Sequence, residues 1–148
     1  MTKEQEPGHS VEYRDNITRL PQLANTMIHT NIRDEIEKLR NTAAWQQSAG
    51  RSSETLVKYA DLRIVLVLMK QGSHMNDHHA DGPISIHCLQ GKIRLHLANG
   101  QGVELIPEGI LALDRGMKHD VEALEESAFL ITISWPKGES SVDRQQLK

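Results

Sequence analysis

From residue 55 to residue 135 the chain is a succession of short apolar runs cut at close intervals by turn residues, and this punctuation limits the fold more than any other feature. TLVKY (55–59) and LRIVLVLMK (62–70) are separated by Ala60-Asp61. PISIHCL (83–89) ends at Gln90-Gly91, KIRLHLA (92–98) at NGQG, VELI (103–106) at Pro107-Glu108-Gly109, and ILAL (110–113) at Asp114-Arg115-Gly116. HDVEAL (119–124) and SAFLITISW (127–135) complete the series, divided by Glu125-Glu126. The runs are rich in β-branched and aliphatic residues, which suit a half-buried pleated surface. Within 92–98, Ile93, Leu95 and Leu97 fall on one face, and Lys92, Arg94 and His96 on the other. Seven or eight such strands predict a mainly all-β fold, an antiparallel sandwich or small barrel.

Ahead of the strands the period changes. Ile32, Ile36, Leu39 and Ala43 recur at helical spacing and predict one N-terminal α-helix over about 32–47. Asn31 is placed to cap it, with Asp34 near the positive end of the helix dipole. Glu35 and Glu37 read as its solvated side, and Trp45 as docking its last turn on the body. SAGRSSE (48–54) reads as a loop by composition. The expected organisation is a flexible tail over 1–16, an extension over 17–54 that carries the helix, a β-barrel over 55–136, and a second flexible tail over 137–148.

Composition narrows the partners. Aromatic residues make up only 3% of the chain, so a core must be built from Leu, Ile, Val and Ala. A formal net charge of -3 offers no basic face for nucleic acid. The lone cysteine, Cys88, excludes an internal disulfide and suits a reduced, cytoplasmic setting. The polar N-terminus lacks an apolar leader. The run IVLVLM (64–69) is far too short to span a bilayer, so no membrane partner is expected. LRIVLVLMK is apolar on both faces, as a strand covered on both sides should be. With Ile64, Leu66 and Leu68 read as inward, Val65, Val67 and Met69 form an outer face. That surface predicts a two-fold homodimer.

Four of the eight histidines, His74, His78, His79 and His87, crowd into residues 71–91. By strand alternation His87 and His96 point outward, where they would suit a sheet-to-sheet contact. Ile84, Ile86 and Cys88 point inward together. Cys88 sits mid-strand among aliphatic residues and reads as a core residue rather than a nucleophile.

The glycines and histidines of the second half resemble the two motifs of the cupins. Gly72 is followed by five residues and His78, and Gly91 closes the first motif. Asp114-Arg115-Gly116-Met117-Lys118-His119 fits the second, with Asp in place of Pro. The resemblance covers about residues 55–135 and implies a jelly-roll barrel, the antiparallel double-stranded β-helix. It implies a pocket ringed by His78, Ile84, Ile86, Cys88 and His119, and a small-molecule ligand within it. The metal positions carried over would be 78, 80, 84 and 119. Positions 80 and 84 are Ala80 and Ile84, so His78 and His119 remain as ligands, with His74, His79 and His87 as additional candidates. The ion implied is a divalent metal such as Zn, Fe, Mn or Ni. The function that follows is binding of a small molecule in the barrel. The alternative is a metal-dependent enzyme of oxygenase or isomerase type that uses His78 and His119.

Overall fold

A computed structural model describes residues 27–78 and 81–134, and at 77 and 78 the backbone alone. The expected tails at 1–16 and 137–148, with residues 17–26, lie outside the described residues.

Helix α1 (Ile32–Arg40) begins where the sequence predicts. The Asn31 side chain accepts the Asp34 backbone N–H at 3.1 Å, which satisfies one of the open donors of the first turn. The predicted single helix is in fact two. Thr42 donates its hydroxyl to the Leu39 carbonyl at 2.7 Å and accepts the Trp45 N–H at 3.1 Å. It thereby ends the first helix and caps a short second one, α2 (Ala43–Gln46). Glu35, expected on the solvated side, is instead buried and accepts a hydrogen bond from the Thr30 hydroxyl at 2.8 Å.

The strands are β1 (Arg51–Lys58), β2 (Leu62–Met69), β3 (His74–His78), β4 (Ile84–Gln90), β5 (Ile93–Leu97), β6 (Gly102–Leu105), β7 (Ile110–Leu113), β8 (His119–Ala123) and β9 (Ser127–Ser134). They form two antiparallel sheets, ordered β1-β2-β9-β4-β7 and β3-β8-β5-β6. Two differences from the sequence reading stand out. β1 starts at Arg51, inside the segment read as a loop, because pairing with β2 carries Ser52 and Ser53 along. β3 has no counterpart among the strands that the sequence predicts.

Two apolar clusters hold the chain together. One fills the space between the sheets, with Phe129, Ile86, Cys88, Ile93, Leu95 and Val121 at its centre. The other packs Ile36, Leu39 and Trp45 of the helices on Leu56, Leu66, Leu68 and Ala128. The orientation expected for β2 is therefore reversed. Val65, Val67 and Met69 face the barrel interior, whereas Leu66 and Leu68 lie under the helices. The register with β9 decides this. Val67 stands opposite Phe129, the largest fully buried side chain, and Leu68 opposite Ala128, whose small side chain leaves room for the helices. With both faces of β2 covered inside one chain, this strand no longer supplies a reason for a dimer.

Candidate functional site: the open end of the barrel

The short connections sort the strand ends into two groups. At one end lie the turns β1–β2, β3–β4, β5–β6 and β7–β8, with the last residues of β9. At the other lie β2–β3, β4–β5, β6–β7 and β8–β9. The ends of the inward rows are buried. Ile84 is 7% exposed and Ile86 0%; His119 is 7% and Val121 1%; Ile133 is 5% and Phe129 0%. All six side chains are buried, and Ile131 and Leu111, further in along the β9 and β7 rows, are half-buried. The end where β4 and β8 begin is the one that carries His119. Leu97, Leu113 and Met117 belong to the same interior cluster at that end.

His119 is the first residue of β8 and is in phase with the inward Val121 and Ala123. Its Nδ1–H donates to the Met117 carbonyl at 3.1 Å, which fixes the ring in the turn that leads into the strand. On one side its backbone pairs with Leu97, on the other with His78. The second pairing depends on a bulge. His74 pairs with Glu122 and Met75 with Val121, after which the register slips by one residue before His78 reaches His119. Directly opposite residues in an antiparallel ladder share a sheet face. The bulge therefore gives position 78 the face of His119, although strict alternation from the exposed His74 would give it the other.

The remaining sequence candidates fall elsewhere. His74 is exposed and stands opposite Glu122 on the outer face of the four-stranded sheet. His87 lies on the outer face of the five-stranded sheet, opposite Ile110 and Leu130, because the only register shift along β4 follows Cys88. His96 pairs with Glu122 through Nε2 at 3.1 Å on the outer face of the other sheet, so His87 and His96 do not meet within the chain. His79 lies outside the described residues. Ile86 and Cys88 have no exposed area and act as packing, with Ile84 alone of the three near the His119 end. Burial pushes the Cys88 thiol above its ordinary range, in keeping with a core residue.

One residue at this end was not singled out by the sequence. Arg63 stands opposite Ile133 and in phase with Val65 and Val67, so it lies on the inner face. The signal was present in Ala128-Phe129, whose contrast in size fixes which face of β2 turns inward.

The donor set does not fit a cupin metal centre. Position 84 is an aliphatic side chain packed in the interior cluster, and position 80 carries only a methyl group. Structural and catalytic metal sites use three or four protein donors. Among the described residues no group of three His, Cys, Asp or Glu side chains is arranged to hold a metal ion.

No family model matches the sequence, and no curated protein matches it. Solved structures do match. A cupin superfamily protein from Desulfitobacterium hafniense superposes with a TM-score of 0.58 at 18% identity, over 61% of this chain and 82% of that one. A cupin-2 domain containing protein from Shewanella frigidimarina gives 0.56 at 18% identity, over 71% and 93%. An RmlC-like cupin with a double-stranded β-helix fold from Methanocaldococcus jannaschii gives 0.54 at 14% identity, over 60% and 84%. The chain has the fold of these small cupin barrels, with N-terminal helices laid over one sheet. At these identities the likeness is one of fold. No described helix is long and apolar enough to cross a membrane.

Proposed function

We propose that the protein binds a small molecule at the end of its barrel that carries His119. The observation that supports this is the pairing of position 78 with the inward His119 at the edge of an apolar interior. An apolar cavity with a few placed polar groups is the usual form of a small-molecule site. The paired register of positions 78 and 119 gives that mouth its polar edge. The His119 imidazole there would orient a ligand by a hydrogen bond. The enzyme reading, an oxygenase or isomerase with a metal on His78 and His119, is the weaker one, since Ala80 and Ile84 take away two donors.

A fragment screen followed by backbone amide NMR tests this reading. Bound fragments should perturb Ile84, Leu97, His119 and Ile133 and leave Ile93 and Ala123 unmoved. Perturbation centred on the Gly91 end would sink it.

A homodimer remains part of the proposal, on a different surface from the one first expected. Ile106 and Ile110 are exposed large apolar residues beside the edge strand β7. An edge with open backbone groups and exposed isoleucines suits pairing with a second copy. Light scattering of Ile110→Lys should give half the parent mass; an unchanged mass assigns any dimer to another face. The reduced state expected of Cys88 makes the cytoplasm the proposed setting.

A further inference from the structure

The middle of the five-stranded sheet is covered less well on its inner face than the rows on either side of it. Val65, Ile131, Ile86 and Leu111 stand opposite one another in β2, β9, β4 and β7 and form one row across that face. Val65, Ile131 and Leu111 are half-buried, and Ile86 is fully buried. In the next row toward Gly91, Val67, Phe129 and Cys88 are buried. In the next row the other way, Ile133, Ile84 and Leu113 are buried.

Ile131 shows where the accessible area comes from. It lies in the central strand, with β2 on one side and β4 on the other, so neighbouring strands cover its flanks. Its inward neighbours along β9, Phe129 and Ile133, are buried, so the area is not an extension of either end of the row. What remains faces the space between the sheets. In a close-packed interior a side chain keeps accessible area only beside a gap at least as wide as a water molecule. Leu97, on the facing sheet, and Met117, in the β7–β8 connection, are half-buried members of the same cluster.

The gap is apolar and short. Val65, Ile131, Ile86, Leu111 and Leu97 have no hydrogen-bonding side-chain atom, and the row meets a hydroxyl only at Thr55, opposite Val65 on the edge strand β1. A hydroxyl or a charge seated on Ile131 would give up water with no partner in return. Phe129 and Ile133 are four residues apart in β9, about 13 Å at the rise of a strand. With those two side chains taking part of the length, the row suits a ring or a branched group rather than an extended chain. We propose, resting on the reading that the His119 end binds a small molecule, that the ligand carries a compact, uncharged apolar group seated on Val65, Ile131 and Leu111, with its polar end toward His119.

Cyclohexanol and cyclohexane-1,4-diol are the probes, titrated into the full chain and followed by methyl and amide NMR. They share a ring, and the diol carries its second hydroxyl on the far side from the first. Cyclohexanol should shift Val65, Ile131 and Leu111 and bind about tenfold more tightly than the diol, whose second hydroxyl meets the apolar row. Ile131→Thr puts a hydroxyl in the middle of the row and should narrow that ratio to about threefold or less. If this variant does not fold, Val65→Thr poses the same question. Leu111→Phe fills the gap from the edge and should weaken cyclohexanol about tenfold. Equal binding of the two probes by the parent overturns the apolar seat. So does a ratio unchanged in the threonine variant, or undiminished binding in Leu111→Phe. Shifts at Ile84 and His119 that leave Val65, Ile131 and Leu111 unmoved overturn the seat and leave the pocket standing. If neither probe shifts either group of residues, the pocket falls together with the seat.

Discussion

His78 and His119 stand directly opposite one another in the β3–β8 ladder, and they do so because one extra residue is bulged into β3 between Met75 and His78. A bulge of this kind changes which face the following residue shares. Deletion of Asn76 is therefore expected to move position 78 out of register with 119 while β8 keeps its pairing with β5. Cross-strand NOEs between the two residues measure this. Their survival in the deletion variant would show that the register is set from the β3–β4 connection instead.

The missing donors suggest a gain-of-function test. Ala80→His with Ile84→Glu restores the side-chain types of a four-donor cupin set. The double variant is expected to unfold at a higher temperature in Ni2+ or Zn2+ than in chelator, since a ligand bound only by the folded state stabilises it. The parent should show a much smaller metal-dependent shift. A parent shift as large as that of the variant would mean that its own histidines make an adequate site.

Gly91 should be the least replaceable glycine. It has φ +79, and a Cβ there would collide with the Glu126 carbonyl and the Ser127 hydroxyl. The Ser127 hydroxyl is itself engaged, as it accepts the Lys92 N–H at 3.0 Å and donates to the Glu125 carbonyl at 2.7 Å. Gly91→Ala is expected to cost about 2–4 kcal/mol from backbone strain and collision together. Gly116→Ala, at φ +78 but with open space around it, should cost about 1–2 kcal/mol. Urea unfolding of the two variants gives the comparison, and equal losses would refute the role of the collision.

Acid should weaken the outer face of the four-stranded sheet. His74, Glu122, Arg94 and Glu104 stand in one row across it. The hydrogen bond from His96 holds the Glu122 carboxyl below the usual carboxylate range, with further help from the charges of His74 and Arg94. Arg94 does the same for Glu104. A carboxylate whose folded pKa is depressed contributes stability above its unfolded pKa and loses it as pH falls through the folded value. Glu122→Gln should therefore lower the unfolding temperature at neutral pH, and the difference from the parent should close below about pH 4. These groups are exposed or half-buried at the surface, so the neutral-pH difference should also shrink in high salt. A difference that persists in acid would assign the effect to packing.

The strands with clean alternation were legible in the sequence, as β4, β5 and β8 show. β3 was not. It is an edge strand with one ladder partner, only Met75 of its described side chains is buried, and its bulge breaks the period that would reveal it. The face of β2 was not legible either. Both of its faces are apolar, and only the partner strand and the helices decide between them. That single ambiguity concealed Arg63, since a strand turned the other way would put it outside. His119 was legible from its turn. The place of position 78 needed the bulge, which no local pattern announces. The split between α1 and α2 followed from one threonine hydroxyl, a choice between neighbouring hydrogen bonds that helical periodicity cannot resolve.

The order of the five-stranded sheet has a consequence for how the chain is made. Among the described residues its middle strand, β9, is the last, and it alone joins the β1–β2 pair to the β4–β7 pair. Until residue 134 is available the two halves of that sheet have nothing to zip onto, and Phe129, the centre of the interior, is absent. Most of the defining contacts are thus between distant parts of the chain, which makes closure slow and late. On the ribosome the first hundred residues should wait as an open, chaperone-dependent intermediate rather than settle stepwise. A stop codon shortly before β9 should yield no smaller domain, only a chain with two unpaired edges.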